Sequence, residues 1–155
     1  MLPLIKIIGI GSPWGDDQIG LKVVEILKSN YQNLANVHIE AHDRPGIRLL
    51  ELFNGATIVY LIDAVQSKQT VGNIYRLQND EIQELQSIIS THDIGVAETL
   101  KLGKVLNLLP STLIFYGIEM NDMKNQADLL SKSLIPAVEE LVTIIASEVS
   151  LLKRC

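Results

Sequence analysis

Six acidic or imidazole side chains stand where the sequence pattern turns a corner. Asp16 and Asp17 follow the first apolar run, Asp63 closes another, and His92 precedes a helical stretch. His42 and Asp43 come after a further strand-like segment, with Arg44 and Arg48 close by. Two carboxylates and an imidazole suit a borderline divalent cation such as zinc or nickel. They equally suit acid–base work on an amide. Each residue also has a blander use. An Asp pair opening a helix caps it and complements its dipole. An Asp at a strand end holds a turn. His92 alone is a capping or surface histidine, and His42 with Asp43 makes a loop hydrogen bond. The stronger signal is their common placement at successive strand-to-helix corners.

The first corner, Gly9-Ile10-Gly11-Ser12-Pro13-Trp14-Gly15-Asp16-Asp17-Gln18-Ile19-Gly20, is the most informative stretch. Its glycines allow a sharp turn or close backbone approach. Adjacent carboxylates at its end repel phosphate and favour a cation or a polar group. The dinucleotide fingerprint G-x-G-x-x-G needs glycine at position 14, where Trp14 stands, although Glu40 lies where a ribose contact would fall. Asp16 is the better placed N-cap of the helix that follows, which leaves Asp17 to face the site.

These residues need elements to hold them. Leu4–Ile10 reads as a strand buried on both faces, interrupted only by Lys6. Ile19, Val23, Ile26 and Leu27 form a helical stripe. Residues 36–41 alternate as a strand nearer the sheet edge, and a short helix covers 47–53 before Asn54-Gly55 stops it. Residues 56–62 are the most strand-like run and end at Asp63. Residues 72–77 read as an antiparallel edge strand, because the connection is too short for a crossover helix. Weak helical character follows over 80–89, then a helix over 94–109 with Leu102, Val105, Leu106 and Leu109 on one face. Residues 111–118 form the last strand, and Glu119 opens a polar loop. A final helix runs to about Leu152 on a stripe of Leu134, Val138, Leu141, Ile145 and Leu152, with Pro136 as a first turn or a kink. Strands alternating with helices predict a three-layer α/β fold. Its sheet is mostly parallel and twisted, of about five strands, with helices on both faces.

The 155 residues suit one domain, and a 47% hydrophobic composition supplies its core. A net charge of −5 with no basic block argues against nucleic acid and anionic membranes. Cys155 is the single cysteine, so no intramolecular disulfide or Cys-rich metal site forms, which fits a reducing compartment. No signal peptide or membrane-spanning run is visible. The expectation is a soluble cytoplasmic protein.

Four motifs, taken together and in this order, resemble the hydrogenase maturation proteases. These endopeptidases remove a C-terminal extension from the large subunit of nickel-iron hydrogenase. Ile7-Ile8-Gly9-Ile10-Gly11-Ser12, then Gly15-Asp16-Asp17 and Ile19-Gly20, is similar to the family's N-terminal signature. Leu61-Ile62-Asp63-Ala64 is similar to its second motif. Ser90-Thr91-His92-Asp93-Ile94-Gly95 with Leu100 is similar to its third, and Tyr116-Gly117-Ile118-Glu119 to its fourth. The resemblance covers nearly the whole chain.

The resemblance implies that Asp17, Asp63 and His92 contact nickel, and that the nickel arrives in the substrate rather than as a cofactor of the protease. It implies the hydrogenase large-subunit precursor as partner, and a monomer. Gripping the metal would bring the scissile bond into register. With no nucleophile motif such as G-x-S-x-G, water attacks, with Asp17 or Asp63 as base. The chain departs from the family at Ser12 (often Asn), Asp17 (often Glu) and Met120 (usually Pro). It departs most at His42-Asp43-Arg44-Pro45-Gly46, where a small Gly-Gly-Thr-like segment is common. His42, Asp43 and Arg44 are therefore candidate substrate contacts. Two other readings remain: a nucleotide- or small-molecule-binding α/β domain, and an inactive relative that only binds the large subunit.

Overall fold

The structure is a computed structural model that describes residues 3–31, 34–85, 95–121 and 129–152. Five strands form its sheet: β1 (Ile5–Gly11), β2 (Val37–Asp43), β3 (Ile58–Val65), β4 (Ile74–Gln78) and β5 (Thr112–Glu119). Their order is β2-β1-β3-β5-β4. All pairings are parallel except β4 with β5. β2 and β4 are the edges, as alternation in one and the short connection before the other predict. β3 lies in the middle, and all eight of its residues are buried. That explains its unbroken apolar run, since a central parallel strand meets helices on both faces.

The helices among the described residues are α1 (Ile19–Asn30), α2 (Leu49–Leu52), α3 (Val96–Val105) and α4 (Ile135–Leu152). One core layer joins α1 and α4 to Ile5, Ile7, Tyr60, Ile62, Ile114 and Ile118. The other joins α2 and α3 to Ile8, Ile10, Leu61, Val65, Leu113 and Phe115. Successive residues of a strand point to opposite faces, so the two layers split each strand by parity. This is the three-layer α/β arrangement expected from sequence. Lys6, the one charge in β1, donates from Nζ to Leu52 O at 2.8 Å and so satisfies a carbonyl at the end of α2.

Several boundaries move. The second helix shrinks to the single turn α2, entered through a 3-10 turn at Gly46–Arg48. The weak helix after β4 is a 3-10 turn, Asn79–Glu84, in its described part. Pro136 lies in the first turn of α4, where its missing N–H costs nothing, so the helix has no proline kink. The apolar stripe assigned to α3 is wrong. Val105 is 79% exposed and Leu106 is exposed, while Val96, Thr99, Leu100 and Gly103 face the core. The reason is Gly103: a Cβ there would come within 2.6 Å of Leu50 Cδ2 and 2.7 Å of Leu109 Cδ2. The helix docks on its smallest residue, which hydrophobic periodicity does not reveal.

A polar network locks α4 to the sheet. Arg76 on β4 donates to Glu148 on α4 through Nε at 2.9 Å and Nη2 at 3.3 Å. Tyr116 also donates to Glu148. The Arg76 guanidinium lies over the Tyr116 ring, 5.7 Å from its centroid, and Tyr116 stacks on Tyr60. Burial pushes the Tyr116 hydroxyl up to about 12, with the Glu148 carboxylate adding to the rise. Burial alone would raise Glu148. Hydrogen bonds from Arg76, Tyr116 and Tyr60 outweigh it and hold the carboxyl below its usual range. Because the folded value lies below the unfolded one, this contribution is full above about pH 4.5 and is lost as pH falls through the folded value. Tyr116 acts with the opposite sign, and its contribution declines as pH rises from about 10 to about 12. Glu148→Gln is expected to flatten the acid limb of a stability–pH profile measured by urea unfolding. An unchanged limb would show that the network does not couple to folding.

Candidate functional site

The strand order creates the site. β1 has β2 on one side and β3 on the other, so the chain reverses its direction of travel between β1 and β3. Ligands of open parallel sheets bind outside the carboxyl ends of the strands at such a switch point. Asp17 lies on the loop leaving β1, and Asp63 lies in β3.

The first loop closes as a 3-10 turn, Gly15–Gln18, that runs directly into α1 and packs on β3. Glycine makes this approach possible. A Cβ on Gly9 would lie 2.1 Å from Gly20 O, and one on Gly20 would lie 2.3 Å from Ile10 O and 2.5 Å from Ile62 O. The helix backbone therefore rests on β1 and β3 at the point where the two strands diverge. Ser12 N–H donates to Asp17 O at 3.1 Å, and the Ser12 hydroxyl reaches Asp17 Oδ2 at 3.4 Å. Both contacts hold Asp17 against the strand end.

Asp16 does not cap the helix, contrary to the expectation from sequence. Neither the turn nor α1 has a side-chain cap bond. Asp16 is 5% exposed and reaches across the rim instead. Its Oδ1 accepts the Ser131 N–H at 2.8 Å, and its Oδ2 accepts the Asn121 N–H at 3.1 Å and the Ser131 hydroxyl at 2.9 Å. One carboxylate thus ties the first loop to the end of β5 and to the start of the α4 segment. Charge-assisted bonds of this kind are the stronger ones. Asp16→Ala is expected to cost about 2 kcal/mol, because two backbone N–H groups and a hydroxyl lose a charged, buried acceptor. The urea midpoint reads this directly. The sequence signal was visible as an Asp pair, but its distant partners were not.

Asp63 is 2% exposed and lies within β3, not at its end, because the strand runs on through Val65. Its Oδ1 accepts the Ala64 N–H at 2.8 Å. Register places Asp63 beside Gly117 of β5, which has no side chain to cover it, and the pairing of Gly9 with Ile62 puts it level with Ile10 of β1. His42 of β2 pairs with Ile10 on its other side. His42, Ile10 and Asp63 therefore form a row across the sheet on the face covered by α2 and α3. Asp43, one residue on, falls by alternation on the other face and pairs with Arg44 at 2.8 Å. Arg44 N–H donates to Gly11 O at 2.9 Å, which joins the end of β2 to the first loop. His92 lies outside the described residues. Among the described residues, no three His, Cys, Asp or Glu side chains gather as a metal site.

Glu119 was read as the start of a loop. It is the last residue of β5 and only 1% exposed. Its carboxylate accepts the Ser67 N–H and the Tyr75 hydroxyl, each at 2.9 Å, and also the Ser67 hydroxyl. It pins the loop that follows β3, two residues beyond the level of Asp63. A groove of about 400 Å³ lies between the Asn79–Glu84 turn and α3, lined in part by Ile82, Leu100 and Lys104. Asn79 bonds Leu113 at the start of β5, so the groove belongs to the opposite end of the sheet from Asp63.

The strand order defines an open α/β protein with two acidic side chains at the switch point where such folds take their ligands. Residues 21–148 match the hydrogenase maturation protease family (HycI), and the chain belongs to that family. The hydrogenase expression/formation protein HupD of Thiocapsa roseopersicina is 28% identical over 144 residues, which is 91% of this chain and 63% of that protein. The chain thus spans a little under two thirds of that relative. Hydrogenase 2 maturation protease of Escherichia coli K12 is 25% identical over 89% of this chain and 88% of its own length. The structure of the hydrogenase maturating endopeptidase HybD from E. coli has the same fold. It superposes with a TM-score of 0.77 at 24% identity, covering 96% of this chain and 94% of that one.

Proposed function

We propose that this protein is the endopeptidase that removes the C-terminal extension of the nickel-iron hydrogenase large-subunit precursor after nickel insertion. The observation that carries the reading is the pair Asp17 and Asp63 at the β1–β3 switch point of a chain in the hydrogenase maturation protease family. Nickel enters as part of the substrate. Asp17, Asp63 and His92 grip it, two carboxylates and an imidazole being a donor set suited to that ion. The grip checks that the metal has been inserted and holds the nearby peptide bond in place, which removes the entropy of alignment from the barrier.

Water then attacks the scissile carbonyl. A carboxylate of Asp17 or Asp63 takes the water's proton as oxygen adds to carbon. The carbon–nitrogen bond breaks, and the departing amine receives the proton. The products are the shortened large subunit with a free carboxyl end and the released peptide. His42 and Asp43, the last residues of β2, and Arg44 just after them depart from the family pattern and contact the precursor. The protein acts as a monomer in the cytoplasm and carries no cofactor of its own.

The test is incubation of the purified protein with nickel-loaded and nickel-free precursor, followed by intact-mass spectrometry. The nickel-loaded precursor is expected to lose the mass of its extension and the nickel-free one to stay whole. An intact nickel-loaded precursor that still co-purifies with this protein would mark it as a binding relative without peptidase activity.

A further inference from the structure

We propose that Glu40 and His42, on the open edge of β2, form a subsite that holds an extended segment of a polypeptide substrate. Two side-chain atoms of this strand lack a hydrogen-bond partner among the described residues. Glu40 Oε2 and His42 Nε2 are both buried, and neither makes a hydrogen bond to any described residue. His42 Nε2 lies 3.6 Å from Glu40 Oε1, which is beyond hydrogen-bond range. Buried polar atoms are nearly always paired, because leaving one unpaired costs about 1–3 kcal/mol. Two such atoms on alternate residues of one strand are a cost the fold carries for something else. The two side chains are not sealed in, since each is about a third exposed (30% for His42, 34% for Glu40). A ligand can therefore reach them from the side.

Their position says what kind of ligand. β2 is an edge strand, paired only with β1. Among the described residues, no backbone group pairs with its outer edge. Such an edge presents a row of free N–H and C=O groups, and an extended peptide can add to it as one more strand. Side chains on one face of the added strand would stand beside Glu40 and His42 as cross-strand neighbours. A carboxylate oxygen accepts and an imidazole nitrogen donates or accepts, which matches the alternating polar groups of a polypeptide. A metal ion fits less well, because the pair has no third ligand within reach among the described residues. The edge is continuous with the candidate site. His42 is level with Ile10 and Asp63, and Arg44 N–H bonds Gly11 O where the first loop begins. A segment lying along β2 therefore runs toward Asp17 and Asp63.

This subsite rests on the reading of the chain as an endopeptidase for the large-subunit precursor, and it is tested so that the two fail separately. Glu40→Leu and His42→Leu remove the orphaned atoms at similar volume. Each variant is expected to unfold at the same temperature as the parent or higher, since no internal bond is lost. Each is expected to raise KM for the nickel-loaded precursor about tenfold with kcat unchanged, the loss of one hydrogen bond to the bound segment. A fall in unfolding temperature in step with the loss of binding overturns the proposal, as does an unchanged KM. Concentration-dependent dimerisation on size exclusion, abolished by the same substitutions, also overturns it, because the edge would then serve a second copy. If the parent leaves the precursor uncut, the endopeptidase reading fails on its own. Precursor affinity measured by calorimetry then decides the subsite: tenfold weakening by the variants sustains it, and unchanged affinity removes it.

Discussion

Gly20→Ala is expected to destabilise the protein by about 4 kcal/mol, above the usual range for overpacking. The added methyl would meet Ile10 O at 2.3 Å and Ile62 O at 2.5 Å. Both atoms belong to strand backbone, so no side-chain rotation relieves the clash. α1 must lift away from β1 and β3, and the layer it shares with α4 must open, at the expense of the packing of Ile19, Val23, Val24 and Leu27. Gly95→Ala is the control: among the described residues nothing lies within 4 Å of a Cβ there, so its effect should stay within about 0.5 kcal/mol. Urea unfolding of both variants measures the difference. Equal midpoints would mean that the close contact of helix and strand carries no weight in the fold. The same contact sets the position of the turn bearing Asp17, because that turn runs into α1 without a break. Any Gly20→Ala protein that does fold should process precursor poorly.

Asp63→Asn is expected to slow removal of the extension at least about 100-fold while leaving the protein folded. The substitution keeps shape and volume. Its side-chain oxygen still accepts the Ala64 N–H, a bond present at 2.8 Å in the parent. What disappears is the negative charge that Asp63 carries inside β3, which the proposed mechanism needs either to hold nickel or to take a proton from water. A folded Asp63→Asn protein that processes nickel-loaded precursor at the parent rate would remove Asp63 from the reaction. Asp16→Ala supplies the contrast. Asp16 is committed to Asn121 and Ser131, so its loss should show first in the unfolding midpoint. Two residues of one type thus separate by which measurement each disturbs.

Much of the fold was legible in the sequence because the relevant forces are local or periodic. A β-branched apolar run with no polar break reads as a doubly covered strand, and β3 is one. Alternation marked β2 as an edge, and a connection too short for a helix made β4 antiparallel. These follow from side-chain spacing along a single strand. Asp16 and Asp17 could be picked out for the same reason, since the end of β1 is visible as a break in apolar pattern, whereas His42, Asp43 and Asp63 lie inside their strands. The family was legible from four short motifs in order, and residues 21–148 match it.

What the tertiary structure alone decided concerns partners distant in the chain. The sequence could not say that Asp16 binds residues 121 and 131, or that Glu119 is a buried clamp on Ser67 and Tyr75. Each depends on which loops meet at one rim, and that is set by strand order. It could not rank the faces of α3, because Gly103 docks by its lack of side chain, while Val105 and Leu106 look apolar and remain exposed. It could not show that Glu40 and His42 carry unpaired polar atoms, since satisfaction depends on what approaches from other elements. For Asp17 and Asp63 the division is clear. Residue type and local pattern marked them as candidates. Only the reversal of strand order between β1 and β3, an outcome of how separate layers of helix and sheet pack, set the turn bearing Asp17 against the strand bearing Asp63.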